Sequence, residues 1–329
     1  MSNKIIGIGN AIMDFLCPIN DDFLIKNNLT KGSMTLIDKT NLLSLNTLKI
    51  KKFSSGGSVA NTINALSQLG NECSFIGSVA DDVTGQQYIK DIEKVGTKFI
   101  GQINSTKDTA SSFILITPDA QRTMCTYLGC APIILEEHIQ KKLFTECKIL
   151  YVEGYLWDSP ATISSIKKAI KIAKNFECKI AFSLSDSFCV QRHREDFIDL
   201  INNDIDILFS NESEILSLTK DSEYSSPNIL NFLKTIKSNL IVAVTRNAKG
   251  CEIFNQNLII EIPTQVVKPL DTTGAGDNFA CGFLHGIIRN YELKKCAEIG
   301  NYMAGLIIQK MGARFETFEV LNLKNNIKL

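Results

Sequence analysis

Residues 270–288 read LDTTGAGDNFACGFLHGII, and this stretch decides how the rest of the chain is interpreted. Its second half has apolar residues four apart, at Phe279, Phe283 and Ile287, which predicts a helix with one buried face. Three small residues, 274–276, stand directly before Asp277 at the start of that helix. Glycines permit a tight turn and leave backbone N–H groups unshielded. We therefore predict a small-residue turn that leads into a buried helix.

The start of this helix combines the groups that phosphoryl transfer to an alcohol requires. The N–H groups of Gly274, Ala275 and Gly276, together with the helix dipole, favour an anion at this point. Asp277, in the first helical turn, could accept a proton from a hydroxyl that faces the anion. The alternative is a glycine-rich loop that only begins a core helix. The D-T-T-G-A-G-D pattern before an apolar helix favours catalysis, with Asp277 as the base.

Composition excludes several classes of function. The chain has 329 residues, 44% hydrophobic and 21% charged, as is ordinary for a globular protein. Lys+Arg and Asp+Glu both number 35, which argues against a broad nucleic-acid surface. Ten scattered cysteines without a C-x-x-C pair fit reduced thiols in the cytoplasm. The N-terminus is a poor signal peptide, and no apolar run approaches the ~18 residues of a membrane span.

Strand-like and helix-like runs alternate along most of the chain. This rhythm predicts an α/β fold, a doubly wound and mostly parallel sheet that is covered on both faces. A hairpin signal, 110–117 and 123–128 around PDAQ, interrupts the rhythm and predicts a small β-lid. We predict a large domain of residues 1–12, 40–105 and 130–329, and a discontinuous lid of residues 13–39 and 106–129.

Four polar or glycine positions are candidates for holding the acceptor. Asp14 follows the first strand, and ligands of open α/β sheets bind beyond the carboxyl ends of strands. In SSGGSVANTINALSQLG, residues 54–70, Gly57 lies in a loop and Asn61 in the first helical turns, where its amide could reach a ligand. Arg122 lies at the rim of the hairpin. Asp14 could instead be a solvated loop residue, and Asn61 a surface residue of an amphipathic helix. Arg122 could clamp a phosphate or be solvated.

A second group of residues could face a nucleotide. Asn211 and Glu214 begin a helix after a buried strand, where Asn211 can cap the helix or Glu214 can hold Mg²⁺ through water. Thr245, Arg246 and Gly250 lie in a strand-end loop that could contact a nucleotide or be only a turn. Asn301, in the last long helix, could hydrogen-bond an adenine. The list of candidate nucleotide contacts is Asn211, Thr245, Arg246, Gly250, Gly276 and Asn301.

GGSVANTINALSQLG at 56–70, NESE at 211–214 and DTTGAGDNFACGFL at 271–284 closely resemble the motifs of the ribokinase/PfkB carbohydrate kinase family. The resemblance implies a ribokinase-like fold with a β-lid, and ATP-dependent phosphorylation of a primary hydroxyl. It further implies Asp277 as base, the residues 274–276 as an anion hole, and Mg²⁺ with the phosphates near Glu214 and Asn211. By the same match Asp14, Gly57 and Asn61 would hold sugar hydroxyls. A requirement for K⁺ is left open.

Within that family, GNAIMD at 9–14, SLSDSFCVQRHREDF at 183–197 and LFSNESEI at 208–215 look like adenosine kinases. This likeness implies adenosine as acceptor and AMP as product, with Phe15, Tyr155 and Trp157 as candidate purine contacts. A kinase for ribose, fructose or 2-keto-3-deoxygluconate is the second hypothesis. A non-catalytic nucleoside or sugar sensor is the third. The partner is a small molecule in each case, and both a monomer and a homodimer are open.

Overall fold

The computed structural model describes residues 3–119 and 121–316. Its strands are β1 Lys4–Ile8, β2 Ile12–Pro18, β3 Met34–Leu36, β4 Lys52–Gly56, β5 Glu72–Ile76, β6 Ser78–Ala80, β7 Lys98–Phe99, β8 Gln102–Asn104, β9 Ala110–Ile116, β10 Arg122–Tyr127, β11 Cys147–Glu153, β12 Lys179–Ser183, β13 Ile207–Asn211, β14 Ile241–Thr245, β15 Cys251–Asn255 and β16 Leu258–Ile262.

The α-helices are α1 Asp21–Lys26, α2 Lys39–Leu45, α3 Ser58–Gln68, α4 Val83–Glu93, α5 Pro160–Asn175, α6 Ser187–Asn203, α7 Glu212–Thr219, α8 Ser226–Ile236, α9 Ala275–Ile288 and α10 Leu293–Ile307. The predicted helix at the glycine-rich motif is α9. Helix α8 was not predicted from the sequence. A proline in its first turn marks its start, because proline at that position sacrifices no helical hydrogen bond.

The main sheet confirms the predicted doubly wound α/β fold. Its nine strands lie in the order β16-β15-β14-β13-β12-β11-β1-β5-β7. Strands β14 to β7 in this order are mutually parallel, whereas β15 pairs antiparallel with β14, and β16 with β15. Because parallel strands need crossover connections, the helices lie on the faces of the sheet and bury it on both sides.

Alternating residues of each strand supply two separate cores. On β11, Ile149 and Tyr151 belong to one apolar cluster, and Leu150 and Val152 to the other. The first cluster includes residues of α3, α9 and α10, and the second includes residues of α5 to α8. The two-residue period of a strand therefore matches each face to its own layer of helices.

A smaller sheet has the order β3-β10-β9-β2-β4. The predicted hairpin is present as β9 and β10, which pair antiparallel. The predicted division assigned residues 40–105 to the large domain, whereas β4 pairs antiparallel with β2 and so belongs to the smaller sheet. The sequence lacks a signal for this because residues 52–56, KFSSG, have little strand character. The rest of the division stays a prediction.

Two further observations concern the whole described chain. Across residues 3–119 and 121–316, no helix has both the length and the apolar character that a bilayer crossing demands. All ten cysteines are buried and none forms a disulfide.

Candidate active site

Several segments bring polar side chains to one end of the main sheet. Strands β1 and β11 are parallel, so their carboxyl ends lie at the same edge. Helices α3 and α9 also begin there, since Ser58 at the start of α3 bonds to Asp277 at the start of α9. Two helix N-termini and the ends of two strands thus surround one polar region, as is usual for ligand sites in open α/β sheets.

Asp277 is held by hydrogen bonds from α3 to both carboxylate oxygens. Oδ1 accepts from Ser58 Oγ at 2.7 Å, and Oδ2 accepts from Asn61 Nδ2 at 2.9 Å. Thr62 Oγ1 donates to the backbone oxygen of Asp277 at 2.9 Å. Burial raises the pKa of Asp277 to about 6, although Asn61, Ser58 and Arg314 oppose the shift. The carboxylate is therefore oriented, and it titrates in the range that suits a general base.

The turn before α9 requires small residues. Gly274 has φ of 77°, and a Cβ added to it would lie 2.6 Å from Ala313 Cβ. Asn278 Nδ2 donates to the backbone oxygens of Gly274 and Ala313, at 2.9 and 3.1 Å, and fixes the turn. Gly276 is exposed, and no heavy atom lies within 4 Å of a Cβ built on it. Ala275 N donates to Thr272 O at 3.2 Å, so the accessible part of this first turn is at Gly276.

Asp14 lies on β2 and interacts electrostatically with Asp277 and with two arginines. A Cβ on Gly56 of the neighbouring strand would lie 2.2 Å from Asp14 Oδ2, so the carboxylate occupies space that only glycine leaves. Burial raises the pKa of Asp14 to about 7. Arg314 and Arg122 lower it, and Asp277 raises it. Asp14 and Asp277 are therefore brought together, as their predicted roles require.

Glu153, at the end of β11, was missed by the sequence analysis. It is buried, and its Oε1 accepts from Asn10 N and Nδ2, both at 2.8 Å, while Oε2 accepts from Val59 N at 3.0 Å. Burial raises its pKa to about 7, and these hydrogen bonds oppose the shift. Glu153 joins the loop after β1 to the start of α3. Its position after a buried strand is the same signal that singled out Asp14, and it could have been used.

Gly57 makes the tight approach of this loop possible. Its φ is 102°, and a Cβ on it would lie 2.0 Å from the backbone oxygen of Asn10. Gly57 is the N-cap of α3, which begins at Ser58. A side chain at this position would push the helix start away from the loop.

Arg122 pairs with Asp271 instead of facing solvent. Arg122 Nη2 lies 2.5 Å from Asp271 Oδ2, and the two side chains are 11% and 2% exposed. Arg122 Nη1 donates to Thr273 Oγ1 at 2.8 Å, and Gly312 N donates to Asp271 Oδ2 at 2.6 Å. The arginine therefore ties the smaller sheet to the glycine-rich motif. Its role as a phosphate clamp stays a prediction.

A cavity of about 330 Å³ adjoins the start of α9. Val267, Phe279 and Ile308 contribute apolar walls. The lining also includes residues that the sequence analysis had singled out, namely Thr245, Gly250, Ala275, Gly276 and Asn301. An apolar chamber that ends at a helix N-terminus suits a planar base attached to phosphates.

The other candidate nucleotide contacts make internal interactions. Arg246 pairs with Glu212 at 2.8 Å and with Glu252, and its guanidinium lies 4.2 Å from the centre of the Tyr224 ring. It does not line the cavity. Asn301 Nδ2 donates to the backbone oxygens of residues 262 and 263, at 3.1 and 3.3 Å, so it also holds the loop after β16.

Asn211 and Glu214 form a capping box at the start of α7. Asn211 Oδ1 accepts from Glu214 N at 2.9 Å, and Glu214 Oε2 accepts from Asn211 N at 3.1 Å. Burial raises the pKa of Glu214 to about 7. In the described ranges, no cluster of three or more His, Cys, Asp or Glu side chains is arranged for a metal. A carboxylate has lone pairs beyond those used in capping, so the residues fit Mg²⁺ held through water.

The aromatic candidates are spread through the structure. Trp157 packs edge-on against Phe182 and Phe197 in the second core, on the face opposite to α9. Tyr155 donates its hydroxyl to Ser185 O at 3.2 Å. Phe15 packs on a phenylalanine of β9 in the smaller sheet. Because the Trp157 ring is buried in the second core, Trp157 is a residue of the hydrophobic core.

This fold, with two helix N-termini that meet at a partly buried carboxylate, has the ribokinase-like architecture. Residues 32–319 match the description "pfkB family carbohydrate kinase". The chain belongs to that family.

Individual relatives extend this similarity over the whole chain. The crystal structure of adenosine kinase from Sinorhizobium meliloti is 32% identical, with a TM-score of 0.89, and covers 99% of this chain and 100% of its own. A probable sugar kinase from Rhizobium etli is 33% identical, with a TM-score of 0.88 and the same coverage. The adenosine kinase of Saccharomyces cerevisiae is 24% identical over 97% of this chain and 99% of its own.

Proposed function

We propose that this protein transfers the γ-phosphoryl group of ATP to the primary hydroxyl of a nucleoside, and that adenosine is its acceptor. The observation that carries the proposal is the Asp277 carboxylate, held from α3 at the start of α9. The choice of adenosine is supported by the adenosine kinases among its relatives.

In the proposed reaction, Asp277 takes the proton of the acceptor hydroxyl. The oxygen then forms a bond to the γ-phosphorus, and the bond from that phosphorus to ADP breaks. The N–H groups of Gly274, Ala275 and Gly276 stabilise the negative charge on the migrating group. Because Asp277 has a pKa of about 6, kcat should fall as pH falls below about 6, where the base is protonated. A pH–rate profile flat down to pH 5 would contradict its role as base.

Acceptor binding is assigned to other residues around Asp277. Asp14, Gly57 and Asn61 hold the sugar hydroxyls, and Arg122 supports the phosphate side through its contact with Thr273. The smaller sheet acts as a lid that excludes water.

The cavity beside α9 would hold the nucleotide. Its lining includes Thr245, Gly250, Gly276 and Asn301. Arg246 does not line it and would contribute indirectly, through its ion pair with Glu212. Asn211 and Glu214 would organise Mg²⁺, which supplies positive charge to the phosphates when it is bound.

The test is ADP release with Mg-ATP and a panel of acceptors: adenosine, inosine, ribose, fructose and 2-keto-3-deoxygluconate. We expect strong turnover with adenosine. Turnover with a sugar alone would keep the role of Asp277 and overturn the nucleoside assignment. Absence of turnover with every acceptor, with adenosine still bound, would support a non-catalytic sensor instead.

A sugar kinase is the second candidate, because the Rhizobium etli relative carries that description at 33% identity. For either function we propose a role in the cytoplasm, where the ten buried thiols stay reduced, and for adenosine a role in purine salvage. A monomer and a homodimer are both compatible with the proposal.

A further inference from the structure

Arg314 lies beside the candidate catalytic groups, although no motif of the sequence points to it. It belongs to the segment 311–316 that follows α10. Its Nε donates to Asn61 Oδ1 at 3.1 Å. Its Nη1 and Nη2 atoms are buried and have no hydrogen-bond partner among the described residues. Burying guanidinium N–H groups without hydrogen-bond partners costs free energy of folding. The presence of Arg314 at this position therefore suggests a functional reason.

The hydrogen bond from Arg314 fixes the orientation of the Asn61 amide, and that amide in turn donates to Asp277. An arginine can only donate hydrogen bonds, so the group of Asn61 that faces Arg314 must be its oxygen. The amide nitrogen then faces Asp277, where it donates to Oδ2 at 2.9 Å. Without Arg314, the amide could turn and place its oxygen against the carboxylate, which would repel it.

Arg314 also places a positive charge in a region that is crowded with acidic groups. The titratable groups that interact with the Asp277 carboxylate are Asp14 from β2, Tyr151 and Glu153 from β11, and Arg314. Of these, only Arg314 favours the ionised form of Asp277. The guanidinium interacts favourably with Asp14 as well.

We propose that Arg314 is a positioning residue, which orients Asn61 and keeps the base Asp277 ionised and aimed at the acceptor hydroxyl. This inference rests on the proposed kinase function for its consequence in turnover. The geometry on which it stands can be tested without turnover.

The experiment compares Arg314→Met with Arg314→Lys and with a control, Lys94→Met. Lys94 lines the same cavity of about 270 Å³ as Arg314, so its loss removes a nearby positive charge without breaking the contact to Asn61. The first readout is the ¹³C-carboxyl NMR titration of Asp277, assigned with Asp277→Asn. The second is the pH profile of kcat, with KM for ATP measured in parallel.

In Arg314→Met we expect Asp277 to titrate at a higher pH than in the wild type, and kcat to fall ~10- to 100-fold at neutral pH, as expected for a misplaced catalytic group. KM for ATP should be unchanged. Arg314→Lys should keep the titration of Asp277 near that of the wild type, with kcat still reduced because the planar hydrogen-bond donor is lost. Lys94→Met should resemble the wild type.

An unchanged Asp277 titration in Arg314→Met overturns the inference, as does an equal shift in Lys94→Met. If Arg314→Met does not fold, Arg314→Lys decides, and wild-type kcat in that variant overturns the inference. A wild-type protein that releases no ADP with any acceptor counts against the kinase function alone, because the NMR titration still tests Arg314.

Discussion

The polar region around Asp277 and the cavity beside the start of α9 differ in the kinds of residue that line them. The polar region contains Asp14, Asp277, Glu153 and Arg314. Asn61 bonds to both Asp277 and Arg314, and Glu153 accepts from backbone amides. The cavity is lined mostly by small and apolar residues, and none of its lining residues is charged. One region therefore works through the orientation of charges, and the other through its shape.

Because of this difference, substitutions in the polar region and in the cavity should affect different kinetic quantities. In the polar region each side chain restrains another, so the loss of one group should affect turnover and the titration of its neighbours. In the cavity a substitution should change nucleotide binding according to its volume, with little effect on the chemical step.

The largest effect is expected for Asp277→Asn. The amide cannot take up the proton, so kcat should fall by ~100- to 10,000-fold. The Kd for ATP, measured by calorimetry, should stay close to that of the wild type, because the cavity is untouched. Full turnover in this variant would end the assignment of Asp277 as base.

Arg122→Met should have the largest effect on stability, because it breaks the contact between the smaller sheet and the glycine-rich motif. It leaves the buried Asp271 without its cation, and the free energy of unfolding should fall by about 3 kcal/mol in urea titrations. The control is Lys31→Met, which removes a more exposed cation and should change the free energy of unfolding much less. Equal losses in both variants would mean that the Arg122 pair has no special role.

Asp14→Ala tests whether the polar region binds the acceptor. Loss of hydrogen bonds to a charged group should raise KM for adenosine ~10- to 100-fold. KM for ATP should be unaffected, which steady-state kinetics with each substrate varied will show. The exposed Asp22, on α1, provides the control Asp22→Ala. An unchanged acceptor KM would remove Asp14 from the binding site.

Gly305→Leu tests the cavity by filling it. Gly305 lines the cavity, and no heavy atom lies within 4 Å of a Cβ built on it, so a side chain can enter. We expect KM for ATP to rise ~10-fold, because the leucine side chain would occupy volume that the nucleotide needs, with KM for adenosine unchanged. Gly305→Ala, the matched control, should bind ATP normally and stabilise α10 by about 0.5–1 kcal/mol. A rise in the acceptor KM alone would place the nucleotide elsewhere.

Much of this site could be predicted because its residues are adjacent in sequence to glycine-rich turns. Gly57 and Asn61 belong to one motif, and Gly274 to Asp277 to the other, and the structure places Asn61 against Asp277. The strand β4 could not be predicted, because KFSSG has weak strand character and is held by its pairing with β2. Arg314 was missed because its partner Asn61 lies far away in the chain, whereas Glu153 follows a buried strand and carried the same signal as Asp14.

The sequence by itself determined the doubly wound fold and singled out Asp277 as the candidate base, since the alternation of strands and helices and the D-T-T-G-A-G-D motif are local patterns. Only the tertiary structure decided what surrounds that base. Burial raises the pKa of Asp277, and Asn61 and Arg314 oppose this shift. Asn61 also orients the carboxylate by a hydrogen bond. The two residues lie 216 and 37 positions away from Asp277 along the chain. Desolvation and hydrogen-bond geometry depend on contacts between distant segments, and no local pattern of residues records such contacts.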